Sequence, residues 1–146
     1  MTNIIRNRTL TADKLLTLPS PVILCVKRDD YNAAILDDGY QIFSLNLPLA
    51  KILIDKSESE FSTTVTDTII ALLPKDKNIY LQDYEMLFDP RYNLEVIKLF
   101  CEIARYNKLI VNWCGTYDEE ILTYAEPGYD DYFRYKISNY NITCVI

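Results

Sequence analysis

The chain has no histidine, and only three of its 146 residues are glycine. Without histidine, neither a Ser-His-Asp nor a Cys-His relay can be assembled from its own residues. The four cysteines, Cys25, Cys101, Cys114 and Cys144, contain no C-x-x-C pair. Widely spaced cysteines, three of them inside apolar runs, read as free buried thiols of a reducing cytosol, not as a metal site or a disulfide framework. No metal centre is expected. No run of eighteen apolar residues occurs, so no membrane span is expected. Residues 1–14, MTNIIRNRTLTADK, lack an apolar core with a small-residue cleavage site, so the expectation is no signal peptide and a cytoplasmic location. Positive charge is scarce, with 15 Lys+Arg against 21 Asp+Glu and a net charge of −6. A general nucleic-acid surface carries the opposite excess, so direct nucleic-acid binding is not expected; Arg6 and Arg8 form one weak local basic pair.

What is present is a globular pattern, 49% hydrophobic, with enough chain for one domain and its core. Thr11 caps an expected helix over 11–18, which Pro19 and Pro21 stop. Residues 22–26 are a continuous apolar run, as expected for a strand covered on both faces of a parallel sheet. Residues 31–36 read as helical and 40–45 as a short strand. Asn46 is the expected cap of a helix with Pro48 in its first turn and Leu49, Ile52 and Leu53 facing inward. Residues 56–59 read as a loop. Phe61, Val65, Ile69 and Leu72 recur at helical spacing, while Thr63, Thr64, Thr66 and Thr68 lower the helix propensity of that segment. Residues 79–81 read as a strand. Asp89-Pro90 opens a helix with Leu94, Ile97, Cys101 and Ala104 on one stripe, and 109–111 is again a strand. In the tail, ILTYA, EPGY and YFRYKI read as a hairpin with Pro127-Gly128 in type II turn order, and ITCVI as a last strand. Alternating strands and helices followed by a β tail predict an α/β sandwich with a mainly parallel sheet and a C-terminal β-hairpin.

Three of these strands carry the chemistry of interest. VILCVKRDDYNAAIL (22–36), NIYLQDYEMLF (78–88) and LIVNWCG (109–115) follow one another as the phosphate-loop, acidic and sensor strands of a P-loop nucleoside triphosphatase do, and the order resembles that core. Yet no glycine lies in residues 22–36, and a phosphate loop needs glycines so that backbone N–H groups can close around phosphates. The loop is KRDDYN, in which Asp29 and Asp30 would repel a triphosphate. Lys27 comes before the place where a phosphate-loop lysine belongs. On the acidic strand, counting from the strand gives Asp83 as the magnesium-site residue, whereas counting back from LFDP gives Gln82. Glu85 stands one residue late for a catalytic carboxylate, and Asn112 stands where a sensor would. Asp83, Glu85 and Asn112 are thus candidates for a degenerate nucleotide site, with solvated strand-end acids and a turn asparagine as the plainer reading.

Most of the chain after Gln41 resembles the BrxF-like P-loop proteins of BREX bacteriophage-exclusion systems, on SLNLPLAKILID (44–55), YEMLFDP (84–90) and LTYAEPGYDDYFRYKI (122–137). The resemblance implies a P-loop-like fold and a place in antiviral defence, while the altered loop implies a non-catalytic accessory or scaffold protein. Such a protein would work by self-association or by assembly with other defence-system proteins, with no cofactor. The alternatives are an ATPase with a non-standard site, requiring ATP and magnesium, and an acidic inhibitor that mimics DNA. Alternation in the tail puts Tyr132, Arg134 and Lys136 on one strand face and Phe133, Tyr135 and Ile137 on the other. Tyrosine and arginine are enriched at binding hot spots, so Tyr124, Tyr129, Tyr132, Arg134 and Tyr135 are the candidate contact residues, against the plainer reading of one core face and one wet face.

Overall fold

The structure, a computed structural model, describes residues 2–146 and, for residues 58, 59 and 61–64, the backbone alone. Its larger sheet contains β1 (Asn3–Ile5), β2 (Val22–Leu24), β3 (Gln41–Ser44), β4 (Ile79–Gln82) and β5 (Leu109–Asn112). A smaller sheet contains β6 (Thr116–Asp118), β7 (Ile121–Tyr124) and β8 (Phe133–Lys136), after which β9 (Thr143–Val145) returns to the larger one. The larger sheet has the order β1-β9-β2-β5-β4-β3, and every neighbouring pair in it is parallel. The fold is therefore α/β, as its alternating pattern predicts, with a separate antiparallel sheet of three strands.

The helices are α1 (Ala12–Leu15), α2 (Asp29–Asp37), α3 (Asn46–Leu53), α4 (Glu58–Leu72) and α5 (Val96–Ile103). They are shared unequally between the two faces of the parallel sheet. On one face Ile23, Leu81, Val111 and Cys144 pack into a core with Leu49 and Leu53 of α3, Val65 and Ile69 of α4, and Ile97 and Phe100 of α5. The antiparallel sheet joins this same core through Leu122 and Tyr135. On the other face Val22, Leu24, Tyr80, Ile110 and Val145 meet Leu10, Leu15 of α1, and Tyr31 and Ile35 of α2. Two short helices do not cover six strands. Ile42, on the edge strand β3, remains 47% exposed.

Several boundaries differ from expectation for local reasons. Thr11 does cap α1, accepting from Lys14 N–H at 3.3 Å, but that helix ends at Leu15 instead of running to residue 18. Asn46 is not a cap; it lies inside the first turn of α3, with Leu45 before it in helical conformation. Ile52 points outward while Leu49 and Leu53 are buried. Residues 58 and 59, expected in a loop, already belong to α4. Of its expected apolar stripe Val65 and Ile69 are fully buried, whereas Phe61, Thr63 and Thr64 lie outside the described residues. Asp89 caps only a short 3-10 helix, Pro90–Tyr92, accepting from Arg91 N–H at 3.0 Å. Asn93 then takes a left-handed conformation (φ +52°), so α5 begins later, at Val96, and excludes Leu94.

The expected hairpin is β7 with β8, antiparallel, with Leu122 opposite Tyr135 and Tyr124 opposite Phe133. Tyr129 N–H donates to Glu126 O at 3.2 Å, with Pro127 second and Gly128 (φ +96°) third in that turn. This is the arrangement its residue order calls for. The third strand, β6, was not expected. It pairs with β7 through a two-residue turn, Glu119-Glu120, where both residues have positive φ (+46° and +65°). Glutamates are poorly suited to that conformation, which asparagine and glycine adopt readily. Gly115 leads into β6 and is needed for space, since a Cβ there would lie 1.8 Å from Thr123 O.

Replacing the strained turn by E119N/E120G is expected to stabilise the chain by about 0.5–1 kcal/mol, read as a higher urea midpoint at unchanged slope. A lower midpoint would show that the two carboxylates do something for the fold. Tyr40 gives a second test. Its hydroxyl is buried without a hydrogen-bond partner among the described residues, and burial, helped by the nearby charge of Asp38, pushes its pKa up to about 12. The fold keeps the phenol protonated, so this contribution is intact below the ordinary tyrosine value near 10 and is lost as pH rises towards 12. Tyr40→Phe is expected to be neutral or stabilising by up to about 1 kcal/mol at neutral pH, and to lessen the loss of stability near pH 11.

Candidate functional site

A parallel sheet delivers its strand ends to one rim, and loops leaving the carboxyl ends are where α/β proteins place ligands. The loop after β2 brings Lys27, Arg28, Asp29 and Asp30 there. Arg28 is fully engaged by its neighbours. It donates from Nε to Asp30 Oδ1 at 2.9 Å, from Nη2 to Asp30 Oδ2 at 2.7 Å, and from Nη1 to Asn7 O at 2.9 Å and Tyr31 Oη at 3.0 Å. Asp30 Oδ1 also accepts the Tyr31 N–H at 3.0 Å. The bond from Arg28 holds the Asp30 carboxyl below its ordinary pKa, so the group stays ionised at neutral pH. Helix α2 thus starts with Asp29 and Asp30 in its first turn, and the position that attracts an anion at other helix starts is already filled by this chain's own carboxylates.

At the end of β4 the two alternatives for the acidic position part company. Gln82 shares a face with Tyr80 and Ser44, and its Nε2 donates to Ser44 Oγ at 2.9 Å. Asp83 is exposed in a left-handed conformation (φ +48°), and its carbonyl accepts the Asn46 N–H at 2.6 Å. Asn46 works across the gap between α3 and this loop. Its Oδ1 accepts from Met86 N–H at 3.1 Å and its Nδ2 donates to Glu85 Oε2 at 2.9 Å. Glu85 is therefore drawn towards α3, away from β5.

Between these residues Tyr84 turns inward and is fully buried. Its hydroxyl donates to Asn112 O at 2.7 Å and accepts from Cys114 N–H at 3.1 Å. Burial is the main cause that pushes the Tyr84 phenol well above its ordinary pKa, and burial likewise pushes the Cys114 thiol up to about 11. Both groups are neutral at physiological pH and suit a structural role.

Two separate clefts result. One of about 350 Å³ lies beside α2, lined by Lys27, Asn32, Gln82 and Asn112 with Ile35, Leu36, Ile42 and Tyr80. The other, about 310 Å³, is lined by Glu85, Met86, Asp89, Pro90 and Asp131. Asn112 and Glu85 thus belong to different clefts, and Asp83 lines neither. Among the described residues no group of three or more His, Cys, Asp or Glu side chains could hold a metal ion, and no helix is long and apolar enough to cross a membrane.

The tail candidates divide as well. The Tyr124 ring stacks on Phe88 with centroids 3.9 Å apart and planes 6° from parallel. Phe88 also meets Trp113 at 6.1 Å and Phe133 at 5.9 Å, and Tyr135 is buried beside them. Tyr124 and Tyr135 therefore spend their rings on holding the small sheet to the body. Tyr132 is half-buried, whereas Arg134 and Tyr129, the latter 65% exposed, project into water. Tyr84 and Asn46 escaped the sequence reading of the site. Their partners lie 28 to 40 residues away, and no local pattern marks them.

No family model, curated protein or solved structure matches this chain.

Tyr84→Phe removes a hydroxyl that serves one buried carbonyl and one N–H. It is expected to cost about 1–3 kcal/mol in denaturant unfolding, with the aromatic packing retained. A loss below a few tenths of a kcal/mol would mean that water replaces the phenol at both groups.

Proposed function

We propose that this chain is a non-catalytic accessory protein of a BREX-type antiphage defence system, cytoplasmic, acting by assembly with itself or with other defence proteins. The observation that carries the non-catalytic part is the start of α2. Its first turn holds Asp29 and Asp30, and Arg28 is locked onto Asp30. A triphosphate approaching there meets two carboxylates and no glycine-lined loop of N–H groups. The strand order favours a P-loop-like ancestry for the frame, because β5 with Asn112 lies between β2 and β4, so that first, sensor and acidic strands are neighbours. The chemistry has gone from that frame: Gln82 faces inward where a magnesium ligand would need a carboxylate, and Asp83 faces out.

The assembly part rests on the BrxF-like segments of the sequence and on what the surface offers. Tyr129 and Arg134 are exposed on the tail, and Leu47 of α3 (64% exposed) and Ile54, the residue that caps its C-terminal end (79% exposed), stand seven residues apart. Exposed apolar side chains of this size, an exposed tyrosine and an exposed arginine are residue types found at contact surfaces.

Affinity purification from native cells, with sizing of the eluate, tests this reading. Defence-system proteins are expected to co-purify, and Arg134→Glu combined with Tyr129→Ala is expected to lower their recovery several-fold without a change in melting temperature. A lone monomer that hydrolyses ATP with magnesium, and loses that activity on Asp83→Ala, would replace it with the ATPase reading.

A further inference from the structure

The cleft beside α2 exists because helical cover on that face of the sheet stops before the sheet does. Helix α2 packs on the β2 and β5 side of this face through Tyr31 and Ile35, and among the described residues no helix of that core packs on Ile42 of β3, which stays exposed. The gap is bounded by apolar surface that water still reaches, with Leu36 53% exposed and Ile42 47% exposed, over the nearly buried ring of Tyr80. Such surface is unfavourable in water and is stabilised when a ligand covers it. The volume, about 350 Å³, is at the small end of the usual range for ligand sites.

The polar groups collect at the other end, where β2, β4 and β5 finish. Lys27 makes no ion pair among the described residues. Around it stand the amides of Asn32, Gln82 and Asn112; one N–H of Gln82 donates to Ser44, which leaves a second N–H and the oxygen of that amide. No carboxylate lines this cleft, although acidic residues outnumber basic ones in the chain. A cation finds no partner here. An anion finds one ammonium group and donors from asparagine. A multiply charged phosphate chain would exceed that single positive charge and would also meet Asp29 and Asp30 at the nearby helix start.

We propose that this cleft binds a small organic monoanion with a flat apolar body, its charge at Lys27 and the Asn32 and Asn112 amides, its body on Tyr80, Ile42 and Leu36. Carboxylates of aromatic ring systems have this chemistry. The site is independent of the assembly reading, because none of its residues belongs to the tail or to the exposed side of α3.

Calorimetric titration of the full chain with 2-naphthoate, and with 2-naphthamide as its uncharged isostere, tests the proposal. One naphthoate per chain is expected, bound about tenfold more tightly than the amide, since one charge-assisted contact separates the two. Lys27→Met is expected to erase that preference and leave the melting temperature unchanged, because Lys27 is exposed and makes no ion pair among the described residues. Ile42→Asp is expected to abolish binding of both compounds, and a melting curve on the same sample reports that the chain is folded. Absence of naphthoate binding at millimolar concentration, a preference that survives Lys27→Met, or tighter binding of ATP than of naphthoate would each overturn it.

Discussion

The hydroxyl of Tyr84 joins three parts of the chain. It ties the loop after β4 to the end of β5 and to Cys114 in the link leading to the small sheet. With that loop fixed, Phe88 is delivered to the place where Trp113, Tyr124, Phe133 and Tyr135 converge. The antiparallel sheet is anchored by those rings. A single buried phenol thereby links the end of β5, the rim loop after β4 and the segment that leads to the tail. Its ring adds an edge contact to Phe100 of α5, 5.3 Å away, so the same residue also binds the helical layer.

Charge is laid out along the rim in a way that the total of −6 conceals. Acids dominate beyond β4, at Asp83, Glu85 and Asp89, while the polar lining of the cleft beside α2 is one lysine and three amides. Gln82, the last residue of β4, lines the cleft together with Tyr80, whereas Asp83 leaves the strand in a left-handed conformation and is exposed outside it.

Much of the frame was legible. The apolar runs that became β2, β4 and β5 are continuous because both of their faces are covered, and Pro127-Gly128 marks its turn by conformational preference alone. Less legible were elements defined by distant partners. Strand β1 has only three residues, one of them exposed, and exists because β9 lies alongside it. The turn at Glu119-Glu120 has no turn residues, so β6 left no trace in the sequence. Within the site, Asp83, Glu85 and Asn112 were correctly placed near strand ends, but their separation into different clefts depends on Asn46, whose hydrogen bonds to Glu85 and Met86 cross from another element. The tail alternation assigned inner and outer faces well, yet stacking of Tyr124 on Phe88 required knowledge of where the 3-10 helix at Glu85–Phe88 would dock.

The position of β9 bears on how the molecule comes to be made. It is the last strand in chain order, and it lies between β1 and β2, two of the earliest. As the chain leaves the ribosome, β1 has no partner strand among the described residues until the chain through β9 has been synthesised. The edge of β2 that will receive β9 stays open for the same interval, presenting Val22, Ile23 and Leu24. Parallel pairing over such a sequence separation is slow to form, and an open apolar edge is a template for other chains. Completion of this sheet therefore waits for insertion of a central strand, and any nascent-chain factor that guards the β2 edge would act before β9 emerges.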